Sequence, residues 1–413
     1  MKQNIKMRTI KTERNRLGTR VFVGILSVFL MLQAWLYPQV PMVALAAEEV
    51  AVTSESVILM ETDSGTVLTE KNADMSRPIA SVTKIMTLLL IFEAIDSGKI
   101  QMTDTVTVSE YAASMGGSQV FLEAGETQDV DTMIKCISIS SANDACVAMA
   151  EHLAGSETAF VEQMNARAKE LGMNHTTFLN CCGLDVAGHV STARDVALMS
   201  AELMKNHPDI TKYTTTWMDT IIHQTRRGAS EFGLANTNKL IKQYNGITGL
   251  KTGSTDAAKY CLSATAERNG IQLVAVVLAA PDTKTRFREA AALLDYGFAK
   301  CVKYTDDGVE FPVTEVKVEK GKKDKVSVKL GGKFQCVLTG DEKLSDIKKE
   351  VVLFDCAEAP LKEGDVVGKY QYSLNGTLLG EVDIVCCESV EKLGFISTLT
   401  KCRDIYFKKE LVK

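Results

Sequence analysis

The stretch Arg77–Thr87 reads RPIASVTKIMT, and two shorter motifs follow it, SAN from Ser141 and KTG from Lys251. Within the first stretch Ser81 stands three residues before Lys84, a spacing that places both side chains on one face of a helix. Side chains on a helix lean towards its N-terminus, so the lysine leans back over the serine hydroxyl. A serine hydroxyl becomes nucleophilic when a neighbour accepts its proton. The spacing therefore predicts Ser81 as a nucleophile and Lys84 as its base.

The two later motifs supply the groups that such a site needs around its nucleophile. Burial beside a second cation favours a neutral lysine, and Lys251 is predicted to be that cation and to attract an anionic substrate. Ser141 is predicted to relay protons to the leaving amine, and Asn143 to orient the base or bind a substrate carbonyl. Thr252 and the flexible Gly253 predict a strand edge against which an extended peptide lies.

Each motif alone is weak, because the chain contains other matches. The additional matches to the first two patterns are Ser345–Lys348, Ser389–Lys392 and Ser373–Asn375. Ser81 differs from them in its context, with Pro78–Ala80 before it and the apolar run Ile85–Phe92 after it. The alternative is a purely structural role, in which Ser81 caps a helix and Lys84 is a solvated surface charge. The order of the three motifs favours the catalytic interpretation.

The same three motifs mark the class A β-lactamases and the penicillin-binding proteins. From about Val52 to its C-terminus, the chain resembles the serine-type D-alanyl-D-alanine carboxypeptidases, the low-molecular-mass penicillin-binding proteins. The stretches that carry this resemblance are Arg77–Thr87, Ser141–Cys146, Met164–Met173 and Gly246–Gly253. It implies an α/β (α+β) catalytic domain of the penicillin-binding and β-lactamase type.

The resemblance also implies a reaction, cleavage of the terminal D-alanine from a peptidoglycan stem peptide ending in D-Ala-D-Ala through an acyl-enzyme on Ser81. β-Lactam antibiotics are then covalent inhibitors of the same serine. The implied catalytic and substrate-binding groups are, respectively, Ser81, Lys84, Ser141 and Asn143, and Lys251, Thr252 and Gly253. Backbone N–H groups, including that of Ser81, would form the oxyanion hole.

Three positions raise questions about this assignment. Relatives commonly read His-Gly-Leu-Asp where this chain has Cys182–Asp185, and some have histidine or tyrosine where Ser254 stands. We expect both changes to leave the acylation machinery untouched and to affect deacylation or substrate preference. Arg286 lies where the family has basic residues near the substrate carboxylate, but a helix-surface arginine is the simpler expectation.

Two alternative functions stay open at this stage. One is a β-lactamase, because Glu170–Asn174 resembles the deacylating glutamate segment of the class A enzymes, although it continues a predicted helix. The other is a penicillin-binding or peptidoglycan-binding protein with little turnover, which the unusual Cys182 and Ser254 would fit. No G-x-S-x-G elbow occurs, which argues against an α/β-hydrolase.

The N-terminal segment has the pattern of an export signal. Residues 1–20 carry seven Lys or Arg against the single acid Glu13, residues 21–36 are apolar except for Ser27 and Gln33, and Ala44–Ala46 form an A-x-A site. This pattern predicts a signal peptide over 1–46. The alternative is an uncleaved membrane anchor, since the apolar run is long for a signal.

The C-terminal segment 389–413 is predicted to be an amphipathic helix. Its apolar positions recur at steps of three: Val390, Leu393, Ile396, Leu399, Cys402 and Ile405. Because basic residues outnumber acidic ones beside this stripe, the helix is typical of a membrane-surface anchor. We therefore expect an exported protein at the outer face of the cytoplasmic membrane. A helix that packs on its own domain is the alternative.

Periodicity divides the remainder into a catalytic domain over 47–300 and an all-β domain over 301–388. The first shows a hairpin over 57–68, helices over 81–97, 130–154, 157–171 and 286–298, and a buried strand Ile271–Ala280. In the second, Asn375-Gly376 predicts a type I′ hairpin turn. The second domain is expected to be a spacer above the membrane, with a partner-binding module as the alternative.

Composition limits the remaining possibilities. The chain has 413 residues, 46% of them apolar, and a net charge of −5, which argues against nucleic acid as a partner. Eleven cysteines cannot all pair, and no disulfide framework is evident. Neither C-x-x-C nor H-E-x-x-H occurs, so we expect no metal and no cofactor.

Overall fold

The computed structural model describes residues 50–225, 228–339, 342–354, 357–395, 398–400 and 403, so the predicted signal segment lies outside the described residues. The strands are β1 Ser56–Glu61, β2 Val67–Lys71, β3 Thr105–Thr107, β4 Thr127–Asp129, β5 Met218–Thr225, β6 Gly228–Ala235, β7 Ile247–Thr255, β8 Lys259–Arg268, β9 Ile271–Ala280, β10 Cys301–Asp306, β11 Glu315–Glu319, β12 Lys325–Leu330, β13 Phe334–Thr339, β14 Ile347–Leu353, β15 Ala357–Glu358, β16 Val366–Leu374 and β17 Thr377–Cys386.

The described α-helices are α1 Lys84–Asp96, α2 Glu110–Ala113, α3 Val130–Ile139, α4 Asn143–Ala154, α5 Glu157–Glu170, α6 Ala193–Asn206, α7 Thr211–Thr214, α8 Leu240–Gln243 and α9 Thr283–Lys300. Short 3-10 turns cover Ala80–Thr83, Pro208–Ile210 and Leu344–Asp346. The predicted hairpin, the buried strand and the helices after residues 156 and 282 are all present.

The central sheet of the first domain has the order β2-β1-β9-β8-β7, with neighbouring strands antiparallel. Strand β9, which reads IQLVAVVLAA, is buried along almost its whole length. Successive side chains of a strand point to opposite faces, so a continuous apolar strand needs cover on both sides. The sheet therefore lies between two layers of helix.

The two faces of β9 belong to two separate hydrophobic cores. Val274, Val276 and Leu278 face a core built with the helices α1 and α3 to α6. Leu273, Ala275 and Val277 face a second core that includes Phe287, Leu293 and Leu294 of α9. The two cores fix the sheet from both sides, and the strand order places β7, which carries the third motif, at one edge.

The helix predicted over 130–154 is wrong as a single helix, because the chain breaks between α3 and α4. Ser141 at the break has a φ of 61°, in the left-handed region that non-glycine residues seldom adopt. Neither serine nor alanine is a strong helix breaker, so the local sequence carried no signal for it. The break turns the second motif out of the helix axis and towards α1.

The second domain is built around a sheet with the order β14-β16-β17-β12-β11-β15, beside the pair β10-β13. In β16 the buried positions Tyr370, Tyr372 and Leu374 alternate with less buried ones, as predicted. Asn375 and Gly376 have φ values of 52° and 85°, which confirms the type I′ turn between β16 and β17.

The start of the predicted C-terminal helix is part of this β domain. Val390 is buried in the domain core and pairs with Leu361. The backbone N–H of Leu393 donates to the carbonyl of Lys320. Residues 395 and 398–400 are helical, with exposed side chains, whereas Ile396, Cys402 and Ile405 lie outside the described residues. None of the helices in the described ranges has the length and apolarity to cross a bilayer.

Candidate active site

The first motif forms a 3-10 turn that continues directly into α1. Ile79, Val82 and Ile85 are fully buried and anchor this turn in the core. Ser81 is half-buried, while Lys84 has no exposed surface at all. The turn therefore presents the serine to the site and holds the lysine beneath it.

The ammonium group of Lys84 is surrounded by three oxygen atoms. Its Nζ lies 3.0 Å from Ser81 Oγ, 2.6 Å from Asn143 Oδ1 and 2.7 Å from the carbonyl oxygen of Cys182. The last two atoms can only accept hydrogen bonds, whereas a serine hydroxyl can also donate. A neutral amine has two N–H groups for the two acceptors and one lone pair left for the hydroxyl. The geometry therefore allows a neutral Lys84 to accept the Ser81 proton.

The second motif approaches this pair through Asn143, the first residue of α4. Its side-chain amide donates to the carbonyl of Gly116 at 2.7 Å, which orients its oxygen towards Lys84. Ser141 is buried, and its Oγ has no hydrogen-bond partner among the described residues. Buried hydroxyls are normally paired, so this atom is available for a group of the substrate.

The third motif lies in β7, at the edge of the central sheet. Lys251 is buried, and its Nζ donates to the carbonyl of Thr252 at 3.2 Å. Burial, and then the charge on Lys84, hold the pKa of Lys251 well below its ordinary value. The Thr252 hydroxyl pairs with that of Thr237 at 2.5 Å. A bound carboxylate would favour the charged form of Lys251 again.

Glycine at position 253 allows β7 to lie directly against the 3-10 turn Ala80–Thr83 that carries Ser81, here called the nucleophile turn. A Cβ atom there would come within 2.7 Å of the carbonyl oxygen of Ile79 and 3.0 Å of the backbone nitrogen of Ser81. Backbone atoms cannot move away as a flexible side chain can. Gly253 therefore sets the distance between the edge strand and the serine.

The expectation for Arg286 is wrong, because this side chain is buried behind β7. Its Nη1 donates to the carbonyls of Gly253 at 3.0 Å and Cys261 at 3.2 Å. Arg286 lies one turn before Glu289 on the buried stripe of α9. The Glu289 carboxylate accepts bonds from Thr53 and Ser54. Helical periodicity could have indicated that both charged residues face the sheet.

Cys182 contacts the acylation machinery through its backbone, so the expectation about the residue change at this position stays a prediction. Its backbone carbonyl is one of the three oxygens around Lys84. The preceding carbonyl, of Cys181, accepts from Thr87 Oγ1 at 2.6 Å, so consecutive carbonyls of this loop bind successive turns of α1. A backbone contact carries no residue-type signal, and sequence reasoning missed it. Ser254, by contrast, is exposed after Gly253.

A buried histidine connects the same loop to the nucleophile turn. His189 accepts from the backbone N–H of Leu179 through Nδ1, so its Nε2 carries the proton and donates to Thr83 Oγ1 at 2.9 Å. Burial lowers the pKa of His189 to about 4. The histidine is therefore neutral at pH 7.

One group of side chains in the described ranges has several metal-ligating atoms close together. The ligand atoms of Glu157, Cys181 and Cys182 lie within 4.8 Å of one another. The C-x-x-C and H-E-x-x-H spacings do not include two adjacent cysteines beside a glutamate that is distant in sequence.

The nucleophile turn, the S-x-N break and the glycine-bearing edge strand together define a serine acyl-transfer enzyme of the penicillin-binding type. Residues 43–282 match the model of the D-alanyl-D-alanine carboxypeptidases of peptidase family S11. Residues 303–392 match the C-terminal domain of penicillin-binding protein 5. The chain belongs to the D-alanyl-D-alanine carboxypeptidase family, with the catalytic domain and the separate all-β domain of that family.

Comparison with individual proteins agrees with this family. The chain is 42% identical over 353 residues to the carboxypeptidase DacF of Bacillus subtilis, covering 86% of this chain and 90% of that protein. It is 36% identical over 366 residues to DacC of Escherichia coli, covering 85% of this chain and 89% of that protein. Penicillin-binding protein 5 of Haemophilus influenzae superposes with a TM-score of 0.66 at 30% identity, covering 83% of this chain and 98% of that one.

Proposed function

We propose that Ser81 forms the acyl-enzyme through which the protein removes the terminal D-alanine of a peptidoglycan stem pentapeptide. The observation that carries this proposal is the buried Lys84 Nζ, 3.0 Å from Ser81 Oγ and bonded to two obligate acceptors. Ser81 Oγ attacks the carbonyl carbon of the penultimate D-alanine while its proton passes to Lys84. The peptide bond then breaks, and the departing amine receives a proton from the site.

The second motif is suited to carry that proton. In the part of the chain that the structure describes, Ser141 Oγ is buried without a hydrogen-bond partner, and Asn143 Oδ1 accepts from Lys84. A substrate amine can complete the hydrogen bonding of Ser141. Water then attacks the ester carbonyl, releases the tetrapeptide and restores the proton to Ser81.

The edge strand supplies recognition of the terminal carboxylate. Lys251 and Thr252 are adjacent on β7, and Arg286 lies behind the same strand, bonded to the carbonyl of Gly253. A carboxylate beside Lys251 would favour the charged form of this lysine, and the positive charge of the buried Arg286 would add to the attraction. An extended peptide end along β7 places its carboxylate at these groups.

The β-lactamase alternative loses its main support in the structure. Glu170 is an exposed residue at the end of α5 that pairs with Arg167 at 3.3 Å, rather than a group of the nucleophile site. An assay of D-alanine release distinguishes a carboxypeptidase from a binding protein with little turnover.

The deciding assay uses the purified chain without residues 1–46. We expect release of one D-alanine per pentapeptide ending in D-Ala-D-Ala, none from the matching peptide ending in L-Ala, and covalent labelling by a fluorescent penicillin. Labelling without D-alanine release would support the binding alternative. Hydrolysis of penicillin far faster than of the peptide would support a β-lactamase.

We also propose that the mature protein works at the outer face of the cytoplasmic membrane. The signal pattern over 1–46 supports export. Phe395 and Leu399 are large apolar side chains with 81% and 57% exposure beyond the end of the β domain. Together with the surrounding basic residues, they support contact with anionic headgroups.

A further inference from the structure

Two thiols and one carboxylate lie together beside α1, outside the set of groups that act on the substrate. Cys181 and Cys182 are adjacent in sequence and both buried, and Glu157 is the first residue of α5. All three ligand atoms fall within 4.8 Å of one another, and both thiols are free. Cysteine and glutamate are a favourable combination for a thiophilic cation such as Zn²⁺.

Each backbone N–H and carbonyl group of the two cysteines makes a hydrogen bond. The N–H of Cys181 donates to Glu157 Oε1 at 3.0 Å, and its carbonyl accepts from Thr87. The N–H of Cys182 donates to Asn180 Oδ1 at 3.3 Å, and its carbonyl accepts from the catalytic lysine. The backbone therefore holds the pair rigidly. The sulfur atoms make weak contacts, from Cys182 Sγ to Asn180 Oδ1 at 3.7 Å and between the two thiols, and a bound metal would replace these when the thiols lose their protons.

We propose that Glu157, Cys181 and Cys182 bind one divalent cation of the zinc type. In a tetrahedral zinc site, ligand sulfurs stand roughly 3.8 Å apart, so the present arrangement needs to contract by about 1 Å or less. Two metal–sulfur bonds form as two thiol protons leave to solvent. The dication replaces two protons, and the net charge of the cluster stays the same.

The carboxylate has the supporting contact that metal ligands normally show. Tyr111 Oη donates to Glu157 Oε2 at 2.7 Å, which leaves the carboxylate oriented towards the thiols. Tyr111 is exposed and Glu157 is partly exposed, so a cation can enter from this side. A bound cation would join the start of α5 to the loop that contacts the catalytic lysine. Its role is therefore structural, and it does not depend on the proposed reaction.

The chain offers an internal control in its second pair of adjacent cysteines. Cys386 ends β17 and Cys387 follows it, so the two are also neighbours in sequence. Among the described residues no histidine or acid completes a three-ligand group around that pair. Adjacency alone should therefore not produce a metal site there.

The test uses Cd²⁺ as a spectroscopic substitute for Zn²⁺, with the reduced protein lacking residues 1–46. We expect one equivalent of Cd²⁺ to give a thiolate-to-metal charge-transfer band, and Zn²⁺ to compete it away. Cys181→Ser with Cys182→Ser should abolish the band, and Cys386→Ser with Cys387→Ser should leave it unchanged.

Tyr111→Phe should weaken the affinity of the protein for Cd²⁺ by about tenfold. Zinc should raise the melting temperature of the wild type above that in chelator, but not that of the Cys181/Cys182 variant.

Several results would overturn the proposal. These are no stoichiometric band in the wild type, a band that survives in the Cys181/Cys182 variant, or a band that depends on the control pair. Penicillin labelling shows whether the Cys181/Cys182 variant is folded. If it is not, Glu157→Gln and Tyr111→Phe decide, and unchanged cadmium affinity in both would reject the site.

Discussion

At the scale of single residues, the proposed acylation depends on what surrounds Lys84. Its position is set by three oxygens from three different segments, which are the nucleophile turn, α4 and the loop at Cys182. The S-x-x-K spacing predicted the first of these contacts, and the S-x-N motif predicted the second. The third comes from backbone and could not be predicted from residue type.

Ser81→Ala is expected to abolish both penicillin labelling and D-alanine release, because no acyl-enzyme can form without Oγ. Ser345→Ala and Ser389→Ala, at the other S-x-x-K matches, are the controls and should label normally. Intact-protein mass spectrometry after exposure to penicillin measures the adduct. An adduct on the Ser81→Ala protein would show that the nucleophile is misassigned.

Lys84→Arg is expected to lower the acylation rate by about 10²- to 10⁴-fold, because arginine keeps the charge but cannot act as a base at accessible pH. Lys251→Ala should instead weaken mainly the recognition of the terminal carboxylate, raising KM for the peptide. Stopped-flow acylation across a range of pH separates the two effects. Near wild-type acylation by Lys84→Arg would contradict the assigned base.

His189 is expected to make stability depend on pH. Its pKa is about 4 in the folded protein and ~6.5 in an unfolded chain, so below pH ~6.5 the unfolded chain binds the proton first. Stability is therefore fully present above that pH and falls by about 2 kcal/mol between pH 7 and pH 5. Denaturant unfolding of wild type, His189→Gln and the exposed control His175→Gln measures this. An unchanged pH dependence in His189→Gln would refute it.

At the scale of elements, the site depends on close approaches between loops and strands that only glycine allows. Gly253 brings β7 against the nucleophile turn, and Gly183 brings the loop that contains Cys181 and Cys182 against the same turn. At Gly183 a Cβ would collide with the carbonyl of Ala80, and its φ is +86°. Gly188, in the same loop, has a φ of +92°, but its Cβ would meet only Leu179 at 3.5 Å.

Gly183→Ala and Gly188→Ala therefore form a matched pair. Both are strained by a positive φ, which costs about 1–2 kcal/mol, but only Gly183→Ala adds a backbone collision. We expect Gly183→Ala to be less stable than Gly188→Ala by at least about 2 kcal/mol and to acylate more slowly. Denaturant unfolding and penicillin labelling measure both. Equal stabilities would mean that the loop moves away from Ala80 without cost.

At the scale of the whole molecule, the C-terminal tail begins later than sequence periodicity indicated. Val390 and Leu393 belonged to the predicted apolar stripe, but Val390 is buried in the β domain and Leu393 is bonded to its backbone. A truncation that tests membrane binding must therefore keep both residues.

A chain that ends at Leu393 is expected to leave the membrane and stay active, because the exposed Phe395 and Leu399 are gone. Phe395→Asp with Leu399→Asp should have the same effect on the full chain. A chain that ends at Glu388 should also lose about 1.5–3 kcal/mol of stability, since it removes the buried Val390. Cell fractionation and penicillin labelling measure the outcome. If the Leu393 truncation remains in the membrane pellet, the N-terminal segment is an anchor or the tail is not one.

The sequence alone was sufficient for the family, the order of the three motifs, the strand Ile271–Ala280 and the turn at Asn375-Gly376. These depend on residue type and on spacing within one element, where helix and strand periodicities apply directly. The tertiary structure alone decided the break at Ser141, the burial of Arg286 and the carbonyl of Cys182 at Lys84. Each of these depends on how segments distant in sequence pack together. Contacts made by backbone atoms, and strained φ values, cannot be predicted from short-range sequence patterns.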